Sequence, residues 1–119
     1  MPIISISTSV PVNDESFRAV RASVVGSTAE ILQKSPGTIL FSVQANENMS
    51  LGLDGNPAVA FVRVIKIGEL THSQKEAITR SIFESLATLW DIRGDCVYLN
   101  FVNVNRSDWS WNSKVLANG

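Results

Sequence analysis

The chain has 119 residues, enough for one domain spanning residues 1–119, but a chain this short buries only about two-thirds of its unfolded surface. A formal net charge of −1, from 10 Lys/Arg against 11 Asp/Glu without a basic cluster, argues against a nucleic-acid footprint. A single cysteine, Cys96, excludes an internal disulfide and a multi-thiolate zinc site, and no apolar run approaches the ~20 residues that span a bilayer.

Pro2 comes directly after the initiator Met1. Removal of Met1 ahead of this small residue would leave a free proline, whose nitrogen is a secondary amine. A terminal amine titrates near pH ~7.7–8.0, and burial beside a cation lowers it further. Such a group is a neutral general base close to physiological pH. A proline in second place is ordinarily no more than a processed end, so the remaining chain has to support the chemical reading.

From Pro2 to Val10 the chain alternates, with Ile4, Ile6 and Thr8 on one face and Ile3, Ser5, Ser7 and Ser9 on the other, which predicts a strand. The segment lacks a basic n-region and a long apolar stretch, so it is not a signal peptide, and a reducing cytoplasm is the expected compartment. Pro11 ends the strand, and Asn13 or Asp14 can cap a helix beginning there. Phe17, Val20, Val24, Thr28, Ile31 and Leu32 recur at helical spacing until Ser35-Pro36-Gly37 breaks the helix. Thr38 to Gln44 predicts a second strand, and Asn46 to Asn56, rich in Asn, Gly and Ser, a loop or short hairpin.

The order then repeats. Ala58 to Ile67 predicts a strand apolar enough for burial on both faces. A helix comes next, with Ile78, Ile82, Phe83, Leu86, Leu89 and Trp90 inward and Gly94 at its close. Asp95 to Val104 predicts the fourth strand; the tail from Arg106 to Gly119 has no clear period. Two strand–helix–strand halves, each with a right-handed crossover, predict a two-layer α/β sandwich. Its four-stranded mixed sheet would carry both helices on one face. The other face must then meet solvent, a partner or another subunit, and the apolar strand centres favour a subunit.

Candidate site residues are few. Lys34, at the end of the first helix, complements the helix macrodipole and can also bind a carboxylate or depress a nearby amine. Tyr98 and Asn100, two apart on a strand, share a face. They form either a satisfied structural pair or a polar constellation on the open face. Trp109 and Trp111 serve local packing or wall an aromatic pocket. His72 has no visible Ser or Cys partner, the carboxylates show no metal-ligand spacing, and the glycines form no phosphate loop.

Taken together, the Pro2 start, Val10-Pro11, Lys34 before Pro36, Lys66-Ile67-Gly68, the Val97-Tyr98-Leu99-Asn100-Phe101 strand and Trp111-Asn112 resemble the macrophage migration inhibitory factor family of the tautomerase superfamily. The resemblance spans essentially the whole chain. It implies a homotrimer with three sheets around a central barrel and active sites at the subunit boundaries. It also implies a phenylpyruvate tautomerase-like isomerase, needing no cofactor and no metal, that acts on a small aromatic 2-keto acid or enol. By position, Pro2 would be the base and Lys34 the carboxylate partner, while Ile67 would offer backbone groups. Tyr98 and Asn100 would come from the neighbouring subunit, and Trp109, Trp111 and Leu116 would form the apolar wall. The resemblance equally implies a signalling or receptor-binding protein with a vestigial site and leaderless secretion. Ala58-Val59-Ala60-Phe61 stands where the animal cytokine has Cys-x-x-Cys, which argues against dithiol chemistry. Arg18 and Arg21, on the first helix, are not placed at the pocket by anything in the sequence.

Overall fold

The computed structural model describes residues 2–53 and 57–116. Strand β1 (Ile3–Thr8) leads into helix α1 (Asp14–Leu32) and strand β2 (Leu40–Ala45); β3 (Ala60–Ile67), α2 (His72–Trp90) and β4 (Val97–Val104) repeat that order. The sheet order is β2-β1-β3-β4. Each half pairs its own strands in parallel, β1 with β2 and β3 with β4, while β1 and β3 meet antiparallel at the centre. The predicted mixed sheet with two crossover helices is therefore present. The tail adds a short antiparallel hairpin, β5 (Ser110–Trp111) with β6 (Lys114–Val115), which its sequence period did not announce.

Local chemistry explains the helix ends. The Asn13 side chain accepts from the Ser16 N–H at 2.8 Å, and the Asn13 N–H donates to Ser16 Oγ at 2.9 Å. Thr71 and Gln74 form the same reciprocal cap on α2. Both helices close earlier than the breakers suggest. Gln33 (φ 54°) and Asp91 (φ 56°) take the left-handed conformation, rather than Ser35-Pro36-Gly37 and Gly94 ending the helices. Lys34 thus lies beyond α1, its backbone N–H donating to the Ala29 carbonyl at 2.9 Å. Pro36–Thr38 and Gly94–Cys96 are single 3₁₀ turns, so β2 and β4 begin two residues later than their apolar runs.

The core lies between helices and sheet. Ile4, Ile6 and Thr8 of β1 and Val62 and Val64 of β3 are buried against Val20, Val24, Ile78, Ile82 and Leu86. The Trp90 indole N–H donates to the Ser16 carbonyl at 3.2 Å, and Ser23 and Ser85 hydroxyls meet at 2.6 Å, tying the helices together. Leu89, predicted inward, is 41% exposed: it turns into the outer groove between the helices with Ala22 and Ser81. Nor is β3 covered on both faces in the single chain. Its burial alternates, leaving Phe61 and Arg63 exposed beside Tyr98 and Asn100. The helices protect one face of the sheet only.

Thr28 is fully buried on α1, and its hydroxyl has no hydrogen-bond partner among the described residues. An unpaired buried hydroxyl costs about 1–3 kcal/mol. Replacement by the isosteric valine removes that cost, so Thr28→Val should stabilise the chain by about 1 kcal/mol, less some helix propensity. Urea denaturation tracked by circular dichroism checks this; a lower midpoint in Thr28→Val would mean the hydroxyl is satisfied.

Candidate active site

Pro2 is buried at the head of β1, and its carbonyl accepts from the Leu40 N–H at 3.1 Å. That bond continues the β1–β2 ladder by one step and anchors the terminus against the sheet. A cavity of about 610 Å³ opens beside it, lined by Pro2, Ile3, Thr38, Ile39, Trp109 and Trp111 among others. Few polar groups among aromatic and aliphatic walls is the usual make-up of a small-molecule site. The tail hairpin supplies one wall, and the Leu116 N–H holds it by donating to the Trp109 carbonyl at 2.9 Å. A depression of similar size between α1 and α2 is lined chiefly by Ser, Ala and Thr and brings no reactive constellation together.

The sequence-predicted residues divide into two groups. Pro2, Trp109 and Trp111 share the cavity, with Trp111 60% exposed at its rim. Leu116 is half-buried behind Trp109 and is not among the cavity's lining. Ile67 ends β3 opposite Val104, its carbonyl taken by the Lys66 ammonium at 2.9 Å. Lys34 stands just before the turn Pro36–Thr38 whose Gly37 and Thr38 line the cavity.

Tyr98 and Asn100 do share one face, the open one, and Tyr98 is 65% exposed. Their own chain does not bring them to Pro2. Tyr98 pairs with Phe61, which pairs with Ser7; Asn100 pairs with Arg63, which pairs with Ser5. Strand spacings of ~3.4 Å along and ~4.8 Å across put them roughly 20 Å and 14 Å from Pro2. Arg21 lies 5.5 Å over the Phe17 ring on α1 and lines an adjoining depression that shares Gly37, Ile39 and Leu40 with this cavity, but it is not in the cavity's own lining.

In the sequence Lys66 stands out only within the Lys66-Ile67-Gly68 motif, which marks no role of its own for it. It comes after Ile65, the partner of Ile3, so the antiparallel register carries it level with Pro2. Burial pushes its ammonium below the usual lysine value of 10.5, and the Lys34 ammonium pushes it further the same way. The two cations are therefore close enough to repel each other at this end of the sheet.

A model of the macrophage migration inhibitory factor family matches residues 1–117. The chain belongs to that family, and with it to the tautomerase superfamily. This family member is 27% identical over 114 residues to a macrophage migration inhibitory factor homolog from Trichinella spiralis, covering 94% of this chain and 96% of that one. Among solved structures it superposes on the Toxoplasma gondii factor with a TM-score of 0.88 at 19% identity, covering 96% and 99% of the two chains. For the homologue from Prochlorococcus marinus the values are 0.86 and 23%, over 97% and 99%. Within the family fold, the described residues contain no His, Cys, Asp and Glu group able to hold a metal ion, and no helix long and apolar enough to cross a membrane.

The lowered Lys66 pKa has a definite sign. Folding disfavours the protonated ammonium, so the native state is destabilised below its folded pKa, and stability recovers as pH rises from there toward 10.5. In Lys34→Met the Lys66 side chain should titrate higher than in the parent, as measured by NMR of its ε-methylene. An unchanged titration would mean the two ammoniums do not interact.

Proposed function

We propose that the chain is a cofactor-independent keto–enol tautomerase of the phenylpyruvate type, using the freed Pro2 nitrogen as general base. The observation that carries this reading is the placement of Pro2: buried, and forming part of the lining of a mainly apolar cavity with two tryptophans. Burial favours the neutral amine, the form a base requires, and an ammonium close to it would act in the same direction. In the ketonising direction that nitrogen takes the enol hydroxyl proton, leaving negative charge on oxygen. The resulting ammonium then returns a proton to carbon 3, giving the keto acid with no net gain or loss. Lys34 would hold the carboxylate, while Trp109 and Trp111 would face the ring and limit water access, with Leu116 backing that apolar wall. The backbone at Ile67 would shape the head of the pocket. A small aromatic 2-keto acid or its enol is the proposed substrate, and the cytoplasm the proposed compartment.

The base assignment is tested by Pro2→Gly, which keeps a small second residue but replaces the secondary amine. Turnover of phenylpyruvate enol should fall about tenfold to a hundredfold, a part of the 10²–10⁴ that general acid–base catalysis contributes. Insertion of Ala between Met1 and Pro2 acylates the nitrogen and should abolish turnover. Full activity in either protein would overturn the assignment, provided intact-mass measurement shows that Met1 is removed from the parent and from Pro2→Gly.

The same reading includes a homotrimer. Tyr98 and Asn100 are too distant to serve Pro2 of their own chain, whereas the uncovered sheet face presents them to a neighbour. Sedimentation should give three times the mass of the chain. Pro2→Gly and Asn100→Ala proteins, each impaired alone, should regain part of the activity when unfolded and refolded together, since mixed trimers contain boundaries with both native residues. Absence of any gain in confirmed mixed trimers would count against a site shared between subunits.

A further inference from the structure

The end of β3 carries a residue to which the proposed reaction assigns no role. The antiparallel β1–β3 ladder ends with Ile3 opposite Ile65, and continuing its register by one step sets Lys66 across from Pro2, although Lys66 lines a neighbouring cavity rather than the Pro2 cavity itself. Directly opposed residues in such a ladder have Cβ atoms about 4.5–5.5 Å apart. Alternation also puts both on the helix-facing side, with Ile4 and Val64. Lys66 is half-buried, and its Nζ donates to the Ile67 carbonyl at 2.9 Å. An ammonium has three protons, so two remain for other acceptors.

The charges around this end of the sheet are unbalanced toward positive. Lys34 reaches it from beyond α1 and Lys75 from α2, the latter lining with Lys66 a small cavity of about 150 Å³ that also includes Gly68, Leu70 and Phe101. Glu69 lines that cavity, and Asp108 lines the larger one with Pro2. Neither carboxylate forms an ion pair with these lysines among the described residues. Among the described residues no carboxylate forms an ion pair with Lys34 or Lys66.

We infer that Lys66 is a second cation of the Pro2 site, which with Lys34 matches the two negative charges of a deprotonated 2-keto acid. This rests on the tautomerase reading. A 2-keto acid brings one negative charge, its carboxylate. Loss of the proton creates a second on the enolate oxygen, two bonds away. Lys34 binds the charge present throughout, and Lys66 the charge that exists only after proton removal. The latter interaction strengthens along the reaction and therefore accelerates it rather than merely tightening binding. The same ammonium favours the neutral form of the adjacent amine.

Steady-state kinetics of Lys66→Met and Lys34→Met separate the two roles, methionine keeping an unbranched stem. Lys66→Met should lower kcat about tenfold to a hundredfold with KM little changed. Lys34→Met should act mainly on KM. The activity limb that rises with pH as the amine loses its proton should move about one unit higher in Lys66→Met, because a cation favouring the neutral base is gone. Lys66→Arg, which keeps the charge, should restore most of the rate. A second readout needs no turnover: oxalate, a planar dianion, should bind the parent about tenfold more tightly than Lys66→Met by calorimetry, while acetate should bind both alike. Circular dichroism and thermal midpoints identify a variant that fails to fold, in which case Lys66→Gln is measured instead. Unchanged kcat and pH limb, or equal oxalate affinity in folded proteins, overturns the role of Lys66. Loss of the tautomerase reading would instead show as an active Pro2→Gly, and the oxalate comparison would still decide Lys66.

Discussion

The antiparallel pairing of β1 with β3 is the contact on which the remaining structure depends. Each strand–helix–strand half forms its own parallel pair through a local crossover. Only the six pairs from Ile3 with Ile65 to Thr8 with Ala60 make one sheet of them. The pairing also fixes facing. A slip of one residue would turn Ile4, Ile6, Val62 and Val64 outward and bring serines and Arg63 into the core. That cost pins the register, and the register sets what stands beside Pro2. Buried Pro2 is thus held in place by the same hydrophobic alternation that stabilises the fold.

Antiparallel central strands also direct the two crossovers oppositely. The end of α1, the start of α2, the head of β1 and the end of β3 consequently gather at one edge of the sheet. This arrangement collects Lys34, Lys66 and Lys75 at the end of the sheet that carries Pro2, although they are spread through the chain. The tail hairpin completes the edge by bringing Trp109 and Trp111 over Pro2. A buried proline, an apolar wall and a group of lysines are then separate consequences of one topology.

The second constraint is the uncovered face. Two helices suffice for one side of a four-stranded sheet, and Phe61, Tyr98 and Leu40 remain exposed on the other. Serines, Arg63 and Asn100 are interspersed there, so the face is amphipathic rather than a continuous apolar patch. Such a surface suits a shared boundary lined by polar groups.

Much was legible in the sequence because it is local. Alternation at Ile4, Ile6 and Thr8, the helical stripe from Val20 to Leu32, and the repeated order of elements each need only a few neighbouring residues. Together they specified the sandwich and its bare face. Pro2 stood out by its position, but only the rest of the chain gave that position weight. Boundaries were less legible: Gln33 and Asp91 adopt left-handed caps for which neither residue is the obvious candidate, and Leu89 lies at the margin of a stripe where a small rotation decides burial. Lys66 could not be read as a neighbour of Pro2 at all. More than half of the chain separates the two, and only the pairing register, set by burial across the whole sheet, puts them side by side. Sequence determined which groups are present and which face each strand buries. Tertiary structure decided which of them meet, because long-range register is chosen by the summed packing of many residues and not by any one of them.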